Sequence, residues 1–130
     1  MAYGKLLVVE DENKIAEMIS RIAAETGFTM HSLEKNEDFA HVFDEFQPDV
    51  IILDSMMSNM DGFEVLDFLN NRNSDVHVIV LSGENFYRLM TDALTSGIRI
   101  KVLANVPKPF PITELRDLLR EIGKSLLTAA

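Results

Sequence analysis

Short aliphatic runs alternate with amphipathic stretches along the whole chain, a pattern that predicts strands and helices in regular succession. Three of the predicted strands are almost entirely aliphatic (LLVV, VIIL and VIVL), which is typical of parallel strands covered by helices on both faces. The predicted strands cover residues 5–9, 28–33, 49–53, 76–81 and 98–103.

Apolar residues spaced three and four positions apart predict a helix after each strand. Gly27 and Gly97 stand where the first and fourth helices should end, and Pro111 suits the first turn of the fifth. Asp61, followed three residues later by Glu64, resembles a capping box that opens the third helix. The apolar stripes are Ile15, Ile19, Ile22 and Ala23; Phe39, Val42, Phe43 and Phe46; Phe63, Leu66 and Leu69; Phe86, Leu89, Met90, Ala93 and Leu94; and Leu115, Leu118, Leu119, Ile122 and Leu126.

Strict alternation of strands with helices predicts right-handed crossovers and therefore an open five-stranded parallel sheet with helices on both faces. The expected strand order is 2-1-3-4-5, the flavodoxin-like α/β arrangement. With 130 residues and no internal linker or repeat, the chain is expected to form one domain over residues 1–130, with its core at about residues 5–126. Ligands of such sheets bind beyond the carboxyl ends of the strands, near the switch point between strands one and three.

Composition narrows the classes of function. Twenty-one acidic against 12 basic residues give a net charge of -9, which opposes direct binding to nucleic acid or to an anionic membrane and favours a cationic ligand. The absence of cysteine excludes disulfides, thiolate zinc sites and a cysteine nucleophile. No apolar run is long enough to span a bilayer and no signal segment opens the sequence, so we expect a cytoplasmic protein.

Polar residues with complementary chemistry follow four of the strands and should meet at one edge of the sheet. They are Glu10, Asp11 and Glu12 after strand one, Asp54 after strand three, Ser82 after strand four and Lys108 after strand five. Clustered carboxylates repel one another unless a cation neutralises them, and Mg²⁺ binds through carboxylates, water and a substrate phosphate. Asp54 could then attack phosphorus and become an aspartyl phosphate, with Ser82 and Lys108 contacting phosphoryl oxygens.

Four motifs resemble the response regulator receiver domain of two-component signalling: VVEDE at 8–12, LDSMMSNMDGFEVL at 53–66, VLSG at 80–83 and KPF at 108–110. The resemblance implies that Asp54 is the phosphoacceptor and that Ser82 and Lys108 contact the phosphoryl group. It also implies a Mg²⁺ site whose ligands are Glu10, Asp11, Asp54 and the backbone carbonyl of Met56.

The function that this resemblance implies is a phosphoryl-accepting switch of a two-component phosphorelay. A histidine kinase or a phosphotransfer protein would donate the phosphoryl group, and the new charge would change the face of helix four, strand five and helix five. Such a domain promotes only its own phosphorylation and dephosphorylation and is not expected to be an enzyme in the usual sense. No output domain is expected within this sequence, so the signal would pass to a partner protein, to a second copy in a homodimer, or to an output domain outside it.

Three departures from the family pattern stand out, and the first two keep an alternative open. Ser58 replaces the usual proline, Asn105 replaces the usual aromatic switch residue, and the stretch 97–108 is about four residues longer than in chemotaxis-type receivers. The alternative is a receiver-like interaction module that works without phosphorylation. A magnesium-dependent phosphohydrolase ranks last, because Met56 stands where such enzymes carry a second acid.

Structural explanations compete for individual residues. Asp11 and Glu12 could simply cap the first helix, Asp54 and Ser82 could be turn residues, and Lys108 could be a solvated loop lysine. Agreement of all four strand ends favours the functional interpretation. The remaining titratable candidates, His31, His41 and His77, lack zinc-ligand spacing and are expected at the surface or the sheet edge.

Overall fold

The computed structural model describes residues 4–34, 36–54, 62–82, 86–100, 102–107 and 111–129. Strands and helices alternate as the pattern predicts. The strands are β1 (Gly4–Val9), β2 (Phe28–Ser32), β3 (Val50–Asp54), β4 (His77–Ser82) and β5 (Val102–Pro107). The helices are α1 (Asn13–Thr26), α2 (Phe39–Phe46), α3 (Gly62–Asn71), α4 (Phe86–Thr95) and α5 (Ile112–Ala129).

The five strands form one parallel sheet in the order β2-β1-β3-β4-β5, which confirms the predicted flavodoxin-like topology. The sheet separates two apolar clusters. One lies under α1 and α5, with Ile19 and Leu115 among its fully buried members. The other lies under α2, α3 and α4 and includes Val42, Leu66 and Ala93. Both faces of the sheet are therefore covered, which explains why β1, β3 and β4 are aliphatic without alternation.

Glycines end two helices as predicted. Gly27 has φ 87° and donates its N–H to the carbonyl of Ala23 after α1. Gly97 has φ 81°, and its N–H donates to Leu94 while the N–H of Ile98 donates to Ala93, the two bonds of a Schellman motif. The predicted cap Asp61 lies outside the described residues.

The prediction for the fifth strand was wrong by about four residues, since β5 spans Val102–Pro107 and not 98–103. Ile98 belongs to the Schellman motif and is buried, and the N–H of Arg99 donates to Oδ1 of Asn70 on α3 at 2.8 Å. Ile98 and Ile100 thus pack on the core outside the sheet. Their alternation imitates a strand because both side chains point inward from an irregular segment.

The register between β4 and β5 shifts by one residue, because Val78 pairs with Val102 whereas Ile79 pairs with Ala104. One extra residue in one strand reverses the faces of all residues beyond it. Val102 accordingly packs with the α2–α3–α4 cluster, whereas Val106 packs with the α1–α5 cluster.

The outer side of α4 carries apolar side chains in the solvent. Leu94 was predicted as part of the buried stripe of α4, and this is wrong: its side chain is 69% exposed. Tyr87, seven residues earlier and therefore on the same side of the helix, is 83% exposed. Among the described residues, no helix has the length and apolar character needed to cross a membrane.

Candidate functional site

Backbone register brings Glu10 and Asp54 to the same place. Val9 of β1 pairs with Leu53 of β3, so the residues that follow them, Glu10 and Asp54, lie side by side at the carboxyl ends of the two strands. Side chains alternate between the two faces of the sheet along each strand. Those of Glu10 and Asp54 therefore lie on the same face, the one covered by α1 and α5. Both residues are buried, Glu10 at 5% and Asp54 at 2% exposure.

Asp11 completes a cluster of three carboxylates. One oxygen from each of Glu10, Asp11 and Asp54 lies within 4.8 Å of the others. At this spacing, three negative charges at the edge of an apolar core repel one another strongly, whereas a divalent cation between them would turn the repulsion into attraction. The structure thus brings together the predicted acidic ligands of strands one and three.

Helix capping does not explain Glu12, the last of the three acids that follow β1. Glu12 is the N-cap residue of α1, yet its side chain makes no capping hydrogen bond. Instead its backbone N–H donates to Oε1 of Glu10 at 3.1 Å. This bond fixes one carboxylate oxygen of Glu10 and orients the group beside Asp11 and Asp54. The capping alternative therefore does not account for the side chain of Glu12.

The other predicted site residues are placed only in part. Ser82 ends β4 and is paired with Pro107, so its backbone lies one strand away from Asp54, which pairs with Leu81. The side chain of Ser82 lies outside the described part of the structure, as do Met56 and Lys108. Their predicted roles stay predictions.

A cleft of about 340 Å³ opens beside the carboxylates. Glu10, Asp11 and Asn13 form one wall, and the turn between β2 and α2 forms the other. The lining from that turn consists of Ser32, Leu33, Glu34 and Asn36. Glu10 and Asp11 belong both to the carboxylate cluster and to the lining of this cleft. The turn between β2 and α2, on the opposite wall, therefore lies close to the carboxylate cluster.

Sequence reasoning missed this second wall. His31 does lie on the edge strand β2, as expected, but its Nε2 is 3.0 Å from Oε1 of Glu37 in the turn. One sequence signal could have indicated this contact: a histidine near the end of a strand, followed by an acid one residue before the N-cap residue of the next helix, which is Asp38. That pattern is common in turns and does not by itself identify a contact.

Comparisons with known proteins agree with this geometry. Residues 6–120 match the family described as response regulator receiver domain. The chain is 29% identical over 119 residues to regulatory protein AtoC of Escherichia coli, matching 92% of this chain and 25% of that protein. It is 32% identical over 122 residues to the probable transcriptional regulatory protein TcrX of Mycobacterium tuberculosis, matching 91% of this chain and 50% of that protein.

Solved structures give the same result. The receiver domain of Francisella response regulator 1452 superimposes with a TM-score of 0.75 at 29% identity, covering 94% of this chain and 98% of that one. The signal receiver domain of a LuxO repressor protein from Vibrio parahaemolyticus, at 21% identity, shares the fold with a TM-score of 0.78 over 97% of this chain and 94% of that one. This chain spans between a quarter and a half of the length of the curated relatives named above. With the family match over residues 6–120, the parallel sheet and the acidic cluster at its switch point, the chain belongs to the response regulator receiver domains of two-component signalling.

Proposed function

We propose that this domain accepts a phosphoryl group on Asp54 in the presence of Mg²⁺ and thereby acts as a signalling switch. Its support is the convergence of three carboxylates at the carboxyl edge of the sheet, between β1 and β3. Asp54 is the member that ends the central strand β3, and a buried strand end holds its carboxylate at a fixed position.

The chemistry of the donor set fits a hard divalent cation. Glu10, Asp11 and Asp54 supply only carboxylate oxygens, which Mg²⁺ prefers, and their negative charges need a counter-charge where water is partly excluded. The backbone carbonyl of Met56 is the proposed fourth protein ligand. When bound, Mg²⁺ would neutralise the cluster and polarise a phosphoryl oxygen.

The transfer step follows from the nucleophile. A carboxylate oxygen of Asp54 forms a bond to phosphorus as the bond from phosphorus to a histidine nitrogen of the donor breaks, and the electron pair of that bond goes to the departing imidazole nitrogen. A histidine kinase or a phosphotransfer protein is the proposed donor. Ser82 would donate a hydrogen bond to one phosphoryl oxygen, and the ammonium group of Lys108 would neutralise another.

The decisive test is acid-labile incorporation of phosphate from acetyl phosphate and Mg²⁺. Asp54→Asn should abolish incorporation, whereas Asp117→Asn on the exposed side of α5 should leave it unchanged. Incorporation into Asp54→Asn at the wild-type level would refute the assignment. Lys108→Ala should keep Mg²⁺ affinity but weaken the response to phosphorylation, and loss of the metal site in that variant would contradict the role given to Lys108.

Asn105 favours a second candidate, a receiver-like module that works without phosphorylation. It lies on β5, is exposed, and shares the side of the sheet that faces α4, where an amide cannot fill the space of an aromatic ring. Mg²⁺ with beryllium fluoride, a mimic of the phosphoryl group, separates the two candidates. A phosphorylation switch predicts amide chemical-shift changes in α4 and β5, and unchanged spectra would favour the module.

Output is proposed to pass through the face formed by α4, β5 and α5. Tyr87 and Leu94 leave apolar surface on α4, which a partner protein, an output domain or a second copy of the chain could cover. Both curated relatives described above extend well beyond the matched region, so an attached output domain is the first expectation. Sedimentation with and without beryllium fluoride would show whether activation produces a homodimer.

A further inference from the structure

The turn between β2 and α2 forms the outer wall of the cleft beside Glu10 and Asp11. It starts next to β1, because the N–H of Leu33 donates to the carbonyl of Val8 at 2.9 Å. Any change in the shape of this turn therefore changes the cleft that borders two of the three clustered carboxylates.

One carboxylate closes the turn. Oε1 of Glu37 accepts the backbone N–H of Glu34 at 2.8 Å, and the N–H of Glu37 donates to the carbonyl of Glu34 at 3.0 Å. The two oxygens of Glu37 also lie 3.0 and 3.2 Å from Nε2 of His31 on β2. We call this set of contacts between His31, Glu34 and Glu37 the turn clasp. It holds Glu34, a lining residue of the cleft, against the edge strand.

His31 is held in place by its neighbours. Its ring lies 5.7 Å from that of Phe46 on α2, and Nζ of Lys5 on β1 lies 5.7 Å from the same Phe46 ring. Among the described residues, the charged side chain in contact with the imidazole is that of Glu37. The titratable pair of α2, His41 and Glu45, makes a separate contact at 3.3 Å on the exposed side of that helix.

The clasp keeps its acceptor ionised. The N–H of Glu34 and the hydrogen bond from His31 hold the pKa of Glu37 below its ordinary value, against a smaller opposing effect of burial.

We propose that Glu37 is a positioning residue for the phosphoacceptor site, acting through the β2–α2 turn. The inference rests on the proposed function of Asp54. A closed turn limits the access of water to Glu10 and Asp11 and fixes the wall against which Mg²⁺ and the donor enter. Electrostatic attraction between the carboxylates and the cation is stronger in a cleft with less water.

The first experiment measures phosphorylation of the intact chain by acetyl phosphate with Mg²⁺ in wild type, Glu37→Ala and Glu37→Gln. Glu37→Ala should lower the rate about two- to fivefold, the effect expected from loss of a partly exposed charged pair. Glu37→Gln should recover part of the rate, because its side-chain carbonyl still accepts the N–H of Glu34. Amide exchange at Glu34 should be faster in Glu37→Ala only. A wild-type rate in Glu37→Ala would overturn the positioning role.

The second experiment removes the other side-chain partner of Glu37. His31→Ala should lower the phosphorylation rate in the same direction as Glu37→Ala, because Glu37 then loses its contact with β2. His41→Ala removes the separate histidine on the exposed side of α2 and, as the matched control, should keep the wild-type rate. A wild-type rate in His31→Ala would refute the part that the turn clasp plays in positioning.

Failure of the proposed function gives a different result. If the wild type incorporates no phosphate, or if Asp54→Asn incorporates as much as wild type, the assignment of Asp54 fails whatever Glu37 does. Titration calorimetry with Mg²⁺ alone then judges the turn clasp, since Glu37→Ala should weaken Mg²⁺ binding at the cluster. If phosphate incorporation and Mg²⁺ affinity are both unchanged in Glu37→Ala while Asp54→Asn is inactive, only the inference about Glu37 fails.

Discussion

Replacing Asp54 by asparagine should make the metal-free domain more stable. Oxygens of Asp54, Glu10 and Asp11 lie within 4.8 Å of one another. At that distance each pair of charges repels by about 1 kcal/mol in bulk water and by about 3.5 kcal/mol at the effective dielectric constant of about 20 that suits protein surfaces. Asp54→Asn removes two such pairs and introduces an amide N–H₂ that can donate to the remaining carboxylates.

Other hydrogen bonds to the carboxylates reduce the benefit, so the expected net gain in the free energy of unfolding is about 2 kcal/mol. Urea denaturation in excess EDTA would measure it as a shift of the midpoint of about 1 M, for a slope of about 2 kcal/mol per molar. Asp117→Asn on α5 is the matched control and should shift the midpoint little.

Mg²⁺ should reverse the order of the effects. A ligand at one hundred times its dissociation constant stabilises a protein by about 2.7 kcal/mol, so Mg²⁺ should raise the midpoint of the wild type clearly and that of Asp54→Asn much less. If Asp54→Asn is no more stable than wild type in EDTA and gains equally from Mg²⁺, the three carboxylates do not form a repulsive, cation-binding cluster, and the reasoning fails.

Three further predictions concern the fold. Leu69→Ala should cost about 2 to 5 kcal/mol in urea denaturation because the side chain is 0% exposed, whereas Leu94→Ala, at 69% exposure, should change stability by less than about 0.5 kcal/mol; equal costs would contradict the placement of α4. Gly97→Ala should destabilise by about 1 kcal/mol through its φ of 81° alone, since no atom lies within 4 Å of the added methyl group, and Gly97→Asn should cost less; an unchanged midpoint would rule out the left-handed turn. The pKa of Glu37 is lowered in the folded protein, so its ionised carboxylate contributes to stability above the ordinary pKa of 4.5, and this contribution is lost as the pH falls through the lower folded value. Below pH 4.5 the free energy of unfolding of Glu37→Gln should therefore fall less steeply than that of wild type, and parallel curves for the two proteins would disprove this.

The ends of the central strands were the most predictable part of the site. In β1 and β3 an aliphatic run changes abruptly to an acid, at Glu10 and Asp54, and parallel topology leaves those two positions side by side. No long-range information is needed for this conclusion beyond the strand order. The same reasoning could not determine that the N–H of Glu12 orients Glu10, because a backbone donor leaves no mark in the sequence.

The fifth strand shows where pattern reasoning ends. Ile98, Ile100 and Val102 alternate as a strand would, yet only Val102 belongs to the sheet. The distinction depends on hydrogen bonds made elsewhere: Ile98 donates to the end of α4, and Arg99 donates to Asn70 on α3. The contact between His31 and Glu37 was missed for a similar reason, since it joins a strand to a turn through side chains of unremarkable spacing.

The extra residue of β5 restricts how this chain can change in length. Because Val102 and Val106 pack on opposite sides of the sheet although they are four residues apart, removal of one residue between them would restore regular pairing with β4 and leave both side chains in their present clusters. Removal of two residues would instead carry Val106 out of the cluster under α1 and α5 and turn Asn105 toward that apolar interior, where its amide would lose contact with water. A single deletion here is therefore tolerable and a double deletion is not, whereas point substitutions at the exposed position of Asn105 leave the layering of the domain intact.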